Sequence, residues 1–390
     1  MRDPVLELER LASEGLRRTL RRLDSPQGAK ILLDGSGELL NFSSNDYLGY
    51  AACPELAAAF AEHLARHGVG SGASRLVCGT LAPHLELEEQ IAAMKRSEAA
   101  LTFSSGFATA TGTIPALCGK GDVVLLDKLC HASLIDGARL SGATIRVFPH
   151  NDLDRLDQQL RWARTKTDPT ENRLLVVTES IFSMDGDRAP LSQLCELKER
   201  HGALLLVDEA HAFGVVGPEG RGLAAEEGVE ERVDFQMGTF SKASGLSGGY
   251  LCAARPWIDL LVHRARSFVY STAPSPALAA TLSTALDRLR GSDGETRRSR
   301  LWSLLRRLEP EAASAIVPRI MGENEAALAA SARLLARGFL VPAIRYPTVP
   351  RGTARLRITV SAAHSPDEVD SLRIAVESLG EIASDLWKKF

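Results

Sequence analysis

The sequence predicts an α/β protein: a three-layer large domain with a mostly parallel sheet between two layers of helix, and a smaller α/β domain at the C-terminal end. Two observations carry this prediction. Between about residue 85 and residue 275, short apolar runs alternate with helical stretches. Strands that are apolar throughout leave no face for water, so helices must cover the sheet on each side. Beyond Ser275 the pattern changes to long helices with few strands. A chain of 390 residues is long enough for two domains, and 45% hydrophobic with 24% charged residues is ordinary globular composition.

Taken in order, Val5, Leu8, Ala12, Leu16, Thr19 and Leu23 recur at three- and four-residue steps and predict an amphipathic helix over residues 5 to 23. Arg10, Arg17, Arg18, Arg21 and Arg22 fall on or beside its other face. The sheet is expected from residues 99–103, 123–126, 144–148, 174–178, 204–207 and 248–252, each apolar and β-prone. In the last third, strands are expected at 315–320 and 355–360, and Ser365-Pro366-Asp367-Glu368 signals the start of a final helix. The domains are accordingly drawn as 43–275 for the large one and 276–390 for the small one, with 1–42 packing on the latter. No internal repeat or low-complexity tract interrupts them.

A formal net charge of −3 and a pI near 6.3 give no global basic field to hold nucleic acid or anionic lipid. The N-terminal Met1-Arg2-Asp3-Pro4 lacks the apolar core of a signal peptide, and no apolar run approaches the roughly 18 residues that span a bilayer. The six cysteines are scattered without a C-x-x-C pair, so they are expected to be reduced and mostly buried, with no metal site. A cytoplasmic location is the simplest expectation.

Chemistry concentrates in two motifs. Lys242 sits in Gly238-Thr239-Phe240-Ser241-Lys242-Ala243-Ser244-Gly245, 34 residues after Asp208-Glu209-Ala210-His211, whose aspartate ends the run Ala203-Leu204-Leu205-Leu206-Val207. This pairing suits pyridoxal 5'-phosphate (PLP), which needs an amine to hold its aldehyde, an anion beside its ring nitrogen and neutral donors around its phosphate. Phe103-Ser104-Ser105-Gly106-Phe107 supplies a strand end followed by a helix-like run, a natural phosphate cup. Ser105, Gly106 and Phe107 are its candidate contacts, and Thr239 and Ser241 add hydroxyls. Asp208 is the candidate partner of the ring nitrogen, and His211 and Ser183 of the ring hydroxyl. His131 is placed to stack on the ring and to offer a nitrogen to a reacting carbonyl. Glu179 and Asp185 read as supporting or loop carboxylates outside the core set.

Six stretches carry a closer resemblance: Asn41-Phe42-Ser43-Ser44-Asn45-Asp46-Tyr47-Leu48-Gly49, Gly70-Ser71-Gly72-Ala73-Ser74-Arg75-Leu76, His131-Ala132-Ser133, Phe182-Ser183-Met184-Asp185-Gly186, Asp208-Glu209-Ala210-His211 and Thr239-Phe240-Ser241-Lys242. Together, and in this order, the chain resembles the α-oxoamine synthase family of fold type I PLP-dependent transferases. The resemblance implies condensation of an amino acid with an acyl thioester and loss of carbon dioxide. The run from Ile344 to Arg357 is most similar to the branch that joins L-alanine to a pimeloyl thioester, carried on coenzyme A or acyl carrier protein, in biotin synthesis. The branch that uses glycine and acetyl-CoA, or another α-oxoamine synthase, is the alternative, and Ala73 departs from the glycine many members carry. A non-catalytic regulatory homologue is the alternative of another class, and the joint presence of Lys242, Asp208 and His211 argues against it.

By the same resemblance Lys242, His131 and Asp208 are the catalytic residues. Arg357, with Asn45 and His131, is expected to hold the amino acid. Arg21 and Thr348 should face the acyl substrate, with Arg345 close by, although Arg22 is adjacent to Arg21 and the match there can slip by one. The working unit is expected to be a homodimer in which the loop carrying Thr272 reaches the phosphate of the neighbouring subunit.

Overall fold

The computed structural model describes residues 3 to 387. The chain begins with α1 (Pro4–Ser13), β1 (Lys30–Leu33), β2 (Gly37–Asn41), α2 (Pro54–His67) and α3 (Ala82–Met94). The sheet elements follow as β3 (Ala99–Phe103), α4 (Gly106–Leu117), β4 (Val123–Asp127), α5 (Ala132–Ser141), β5 (Thr144–Phe148), α6 (Leu153–Arg164), β6 (Leu174–Glu179), α7 (Leu191–Arg200) and β7 (Leu204–Asp208). Next come α8 (Leu223–Glu226), β8 (Phe235–Thr239), β9 (Gly249–Ala253), α9 (Arg255–Arg264), α10 (Arg266–Val269), α11 (Pro276–Arg290) and α12 (Ser292–Leu308). The chain closes with β10 (Ile316–Gly322), α13 (Asn324–Ala336), β11 (Phe339–Leu340), β12 (Ala343–Ile344), β13 (Ala354–Thr359) and α14 (Pro366–Trp387).

Two compact units result. The larger comprises residues 50–183 and 187–299, the smaller 1–49, 184–186 and 300–390. In the larger unit a seven-stranded sheet has the order β3-β9-β8-β7-β6-β4-β5, with β9 antiparallel to both of its neighbours and the other pairings parallel. Strands β3, β4, β6, β8 and β9 are buried along their whole length, as their apolar composition requires. Val124, Leu126, Leu175, Val177 and Leu206 form one core with Ile114 of α4, Leu134 of α5 and Leu261 of α9. The alternate residues point the other way, toward the side where α6 and α7 pack.

Strand β8 was not among the expected strands; Gln236 and Gly238 interrupt its apolar run, and its place between β7 and β9 is what buries it. The large unit also extends past the expected boundary at 275, because α11 packs on α2 and α3. At its other end, residues 43 to 49 belong to the smaller unit: the Ser361 hydroxyl donates to the carbonyl of Asp46 at 2.6 Å, and the Ala362 N–H to that of Tyr47 at 2.8 Å.

The smaller unit contains two three-stranded sheets, β1-β2-β11 and β10-β13-β12. Its last helix starts as the sequence signals: the Ser365 hydroxyl accepts the Glu368 N–H at 3.2 Å and the Glu368 carboxylate accepts the Ser365 N–H at 2.8 Å, a reciprocal cap. The first helix is shorter than expected. It stops at Ser13 rather than running to residue 23, because Gly15 turns into the left-handed region at φ 65° and the arginines that follow belong to no helix. Among the described residues no helix is long and apolar enough to cross a membrane. All six cysteines are free thiols, five buried and Cys78 exposed.

Candidate active site

A cavity of about 200 Å³ opens at the carboxyl ends of the sheet strands, and every residue on its wall belongs to the larger unit. It gathers nine of the expected residues: Ser105, Gly106, Phe107, His131, Asp208, His211, Thr239, Ser241 and Lys242. Ser133, Glu179 and Ala210 complete the wall. The parallel sheet explains the gathering, since the turns after β3, β4, β6, β7 and β8 all emerge on one edge.

At one end α4 begins. Ser105 caps it, its hydroxyl accepting the Ala108 N–H at 3.0 Å, so the amides of the first turn are presented outward with the positive end of the helix dipole. Gly249 of β9 lets this helix sit close: a Cβ there would lie 2.4 Å from Thr109 Oγ1 and 2.6 Å from the Ser105 carbonyl oxygen. Thr239 donates its hydroxyl to the Gly248 carbonyl at 2.7 Å and lies 2.8 Å from Ser241 Oγ. The result is a helix N-terminus with neutral hydroxyl residues beside it, a setting suited to a phosphate.

At the other end Asp208 is buried, and its Oδ1 accepts the Ala210 N–H at 2.9 Å. Burial raises its pKa, opposed by the charge of Lys242 and by that hydrogen bond. Lys242 Nζ lies 2.8 Å from His211 Nε2. The next residue, Glu209, is tied to the fully buried Lys95 and accepts the Ala224 N–H at 2.9 Å, which anchors the turn after Asp208.

Glu179 ends β6 in register with Asp208. Burial, and then the charge of Asp208, push its pKa up to about 8 despite Lys242 and the N–H groups of His131 and Ser183. Two buried carboxyls this close do not both ionise readily, which is why the charge of Asp208 counts second among the causes that raise Glu179. Its Oε1 accepts the His131 N–H at 2.6 Å, and the Ser183 N–H also donates to it. One side chain therefore pins both the His131 turn and the Ser183 segment, a role the sequence reading placed outside the core set. Its only sequence signal is the same as that of Asp208, an acid at the end of an apolar strand.

His131 caps α5, and its Nδ1 accepts the Ser133 N–H at 3.3 Å. Desolvation, helped by Lys242 and opposed by Asp208, holds its pKa below the ordinary imidazole value. Both effects favour the neutral ring, and in the tautomer whose Nδ1 accepts the Ser133 N–H the proton is on Nε2.

These residues fit PLP. A lysine amine, a buried carboxylate that gains from a cation set against it, and a helix N-terminus with hydroxyls lie on the wall of one cavity. Two expected cofactor contacts lie off its wall. Ser183 is buried beside Glu179, and Thr272 is exposed on a loop bridged to Ser74. That loop is firmly held, since the carbonyl of Pro274 accepts the Ser71 hydroxyl at 2.6 Å and His84 Nε2 at 2.9 Å.

Of the expected substrate residues, His131 stands on the cavity wall in the larger unit, and Arg21, Asn45, Arg345, Thr348 and Arg357 lie in the smaller one. Arg357 is buried on β13 and hydrogen-bonds the phenol of Tyr47, whose hydroxyl reaches Asn45 Oδ1 at 3.2 Å. Arg21 is exposed outside any helix or strand, and it is Arg18 that donates to Thr348 Oγ1, at 3.3 Å. Arg345 donates to the Arg17 carbonyl at 3.0 Å.

Comparison with known proteins agrees with this site. Residues 37–376 match the family model described as aminotransferase class I and II. The chain is 48% identical over 385 residues to an 8-amino-7-oxononanoate synthase of Herminiimonas arsenicoxydans, covering 95% of this chain and 97% of that one. Among solved structures it is similar to a serine palmitoyltransferase of S. paucimobilis with a bound PLP–myriocin aldimine, at TM-score 0.90 and 31% identity over 98% of this chain and 97% of that one. It is also similar to the 8-amino-7-oxononanoate synthase of Francisella tularensis, at TM-score 0.75 and 25% identity over 90% of this chain and 99% of that one. The chain thus belongs to the aminotransferase class I and II family and, within it, to the α-oxoamine synthases whose motifs it carries.

Proposed function

We propose that the protein condenses L-alanine with a pimeloyl thioester, with PLP as cofactor, to give 8-amino-7-oxononanoate, carbon dioxide and free thiol in biotin synthesis. The observation that carries this reading is the meeting of Lys242, Asp208 and His131 on one cavity wall, in a chain 48% identical to a synthase of that name along 95% of its length. The higher TM-score to serine palmitoyltransferase reflects a shared backbone, whereas identity across the chain favours the alanine reaction.

When bound, PLP draws off the electrons released as a bond at the substrate's α-carbon breaks. The protein's own residues do the rest. Lys242 Nζ would hold the cofactor, and its amine is the base that would take the proton from the α-carbon and later return one. Asp208 keeps the ring nitrogen protonated, because a buried carboxylate is stabilised by a cation against it. His131 donates its Nε2 proton toward the carbonyl oxygen of the acyl group, and Glu179 keeps it in place. The amides of Gly106 and Phe107 with the hydroxyls of Ser105, Thr239 and Ser241 take the phosphate, and His211 and Ser183 the ring hydroxyl. In the smaller unit, Arg357 and Asn45 take the alanine carboxylate, because a planar guanidinium meets a carboxylate with paired hydrogen bonds. Thr348 and the arginines around it serve the pimeloyl carboxylate.

The reading extends to a cytoplasmic homodimer. Val69, Leu76, Val77 and Tyr270 expose apolar surface on the segments flanking the Thr272 loop, and a second copy of the chain is the partner proposed to cover it. Steady-state turnover decides the chemistry. Alanine with pimeloyl-CoA should exceed glycine with acetyl-CoA and serine with palmitoyl-CoA in kcat/KM, and a preference for either of the latter pairs overturns the assignment. Sedimentation of the active species as a monomer overturns the dimer.

A further inference from the structure

The phenol of Tyr47 connects the two groups assigned to the amino-acid carboxylate, and the direction of its hydrogen bonds can be worked out. A guanidinium has donors and no acceptor, so Arg357 donates to Tyr47 Oη. The phenol in turn donates its own proton to Asn45 Oδ1, at 3.2 Å. With Oδ1 engaged as acceptor, the rest of the Asn45 side chain is its NH₂ group, which only donates. Arg357 and Asn45, bonded to one phenol oxygen, are held within a few ångströms of each other, and the groups they bring are of one polarity.

This arrangement does not titrate in the working range. Tyr47 is wholly buried, and burial raises its pKa from the ordinary tyrosine value, the guanidinium opposing only in part. Its position is fixed by the chain on either side: the Ala362 N–H donates to its carbonyl at 2.8 Å, and the Ser361 hydroxyl donates to the neighbouring Asp46 carbonyl at 2.6 Å. The phenol is thus a rigid part with a constant proton, and an Asn45 amide turned the other way round would set two donors against each other.

We infer that Tyr47 is a positioning residue that locks Asn45 and Arg357 into a donor-only pair, selecting an acceptor-only group, the α-carboxylate, in the amino-acid substrate. This rests on the reading that Arg357 takes that carboxylate. The consequence is discrimination by polarity: a carboxamide in place of the carboxylate brings its own NH₂ donors against donors and cannot gain from the lock.

The experiment titrates the PLP-loaded enzyme with L-alanine and with L-alaninamide, following the visible absorbance of the bound cofactor. Tyr47→Phe keeps the ring and removes the hydroxyl. It should weaken alanine binding about tenfold, the scale of one charge-assisted hydrogen bond, and leave alaninamide within about twofold. In turnover the loss should fall on the KM for alanine far more than on kcat. Equal weakening of both ligands, or no weakening of alanine, overturns the inference. If Tyr47→Phe does not fold, Asn45→Asp presents an acceptor in place of the donor at a half-buried position, and an unchanged alanine affinity in that variant overturns it equally. Arg357→Gln separates the two levels. Wild-type alanine binding in Arg357→Gln removes the carboxylate subsite and the inference with it, whereas lost binding there beside normal binding in Tyr47→Phe removes the inference alone.

Discussion

His150 lies between two carboxylates, and replacing it with glutamine should cost stability in a manner that depends on pH. Nδ1 is 3.0 Å from Asp127 Oδ1, Nε2 is 2.7 Å from Asp187 Oδ2, and the ring meets Phe182 edge-on at 4.3 Å. Both nitrogens can donate only if the ring is protonated. Burial alone would lower its pKa, but the hydrogen bonds and charges of Asp127 and Asp187 outweigh burial and push it up to about 10. Against an ordinary value of about 6.5, at about 1.36 kcal/mol per unit, the upper bound is about 5 kcal/mol. The His150 ring is 23% exposed and the Asp187 side chain 42% exposed, so solvent screening cuts this to about 2 kcal/mol. Asp127 keeps the N–H groups of Leu129 and Asn151 at 2.8 and 2.9 Å, which also favours the lower figure.

The sign follows from linkage. Because the folded state holds the proton more tightly, the contribution is complete below about pH 6.5 and is lost as pH rises toward about 10. Urea unfolding of wild type and His150→Gln, followed by the fluorescence of Trp162 and Trp257 in the same unit, measures the gap. It should be largest near about pH 6 and shrink steadily toward about pH 10. A gap that stays flat or widens over that range would mean the ring is not held as a cation, and the argument fails.

Three further outcomes are expected. Asp208→Asn should fold and still take up PLP, but exchange of the alanine α-hydrogen in deuterated water should slow by orders of magnitude, since an amide cannot support a protonated ring nitrogen; near-normal exchange would refute the role. Glu179→Gln, in cofactor-free protein, should gain relative to wild type as pH rises from about 5 to about 8, by on the order of 1–3 kcal/mol, because the raised pKa of Glu179 makes its ionised form unfavourable in the fold; a pH-independent difference contradicts this. Lys95→Ala should lose about 3–5 kcal/mol by leaving Glu209 charged and buried without its partner, whereas a loss below about 1 kcal/mol would show that water reaches the pair.

What the sequence determined by itself is local. Strands such as β4 and β6 are legible because burial on both faces demands an unbroken apolar run, and α14 because Ser365, Pro366 and Glu368 are a start signal within four residues. The cofactor residues are legible for the same reason: each stands at the end of a strand or in a short hydroxyl-rich turn, and a parallel sheet necessarily brings such turns to one edge. Tertiary structure decided the rest. Strand β8 exists because β7 and β9 flank it and because Lys95 and Glu230 offer carbonyls to the Gln236 amide, so no apolar period announces it. The end of α1 was set by Gly15 against a hydrophobic period that continued past it. Glu179 acquires its role from the N–H of His131, 48 residues earlier, and Tyr47 from Arg357, near the other end of the chain. Hydrogen-bond partners so far apart in sequence are assigned by topology and burial, quantities that neither composition nor periodicity encodes.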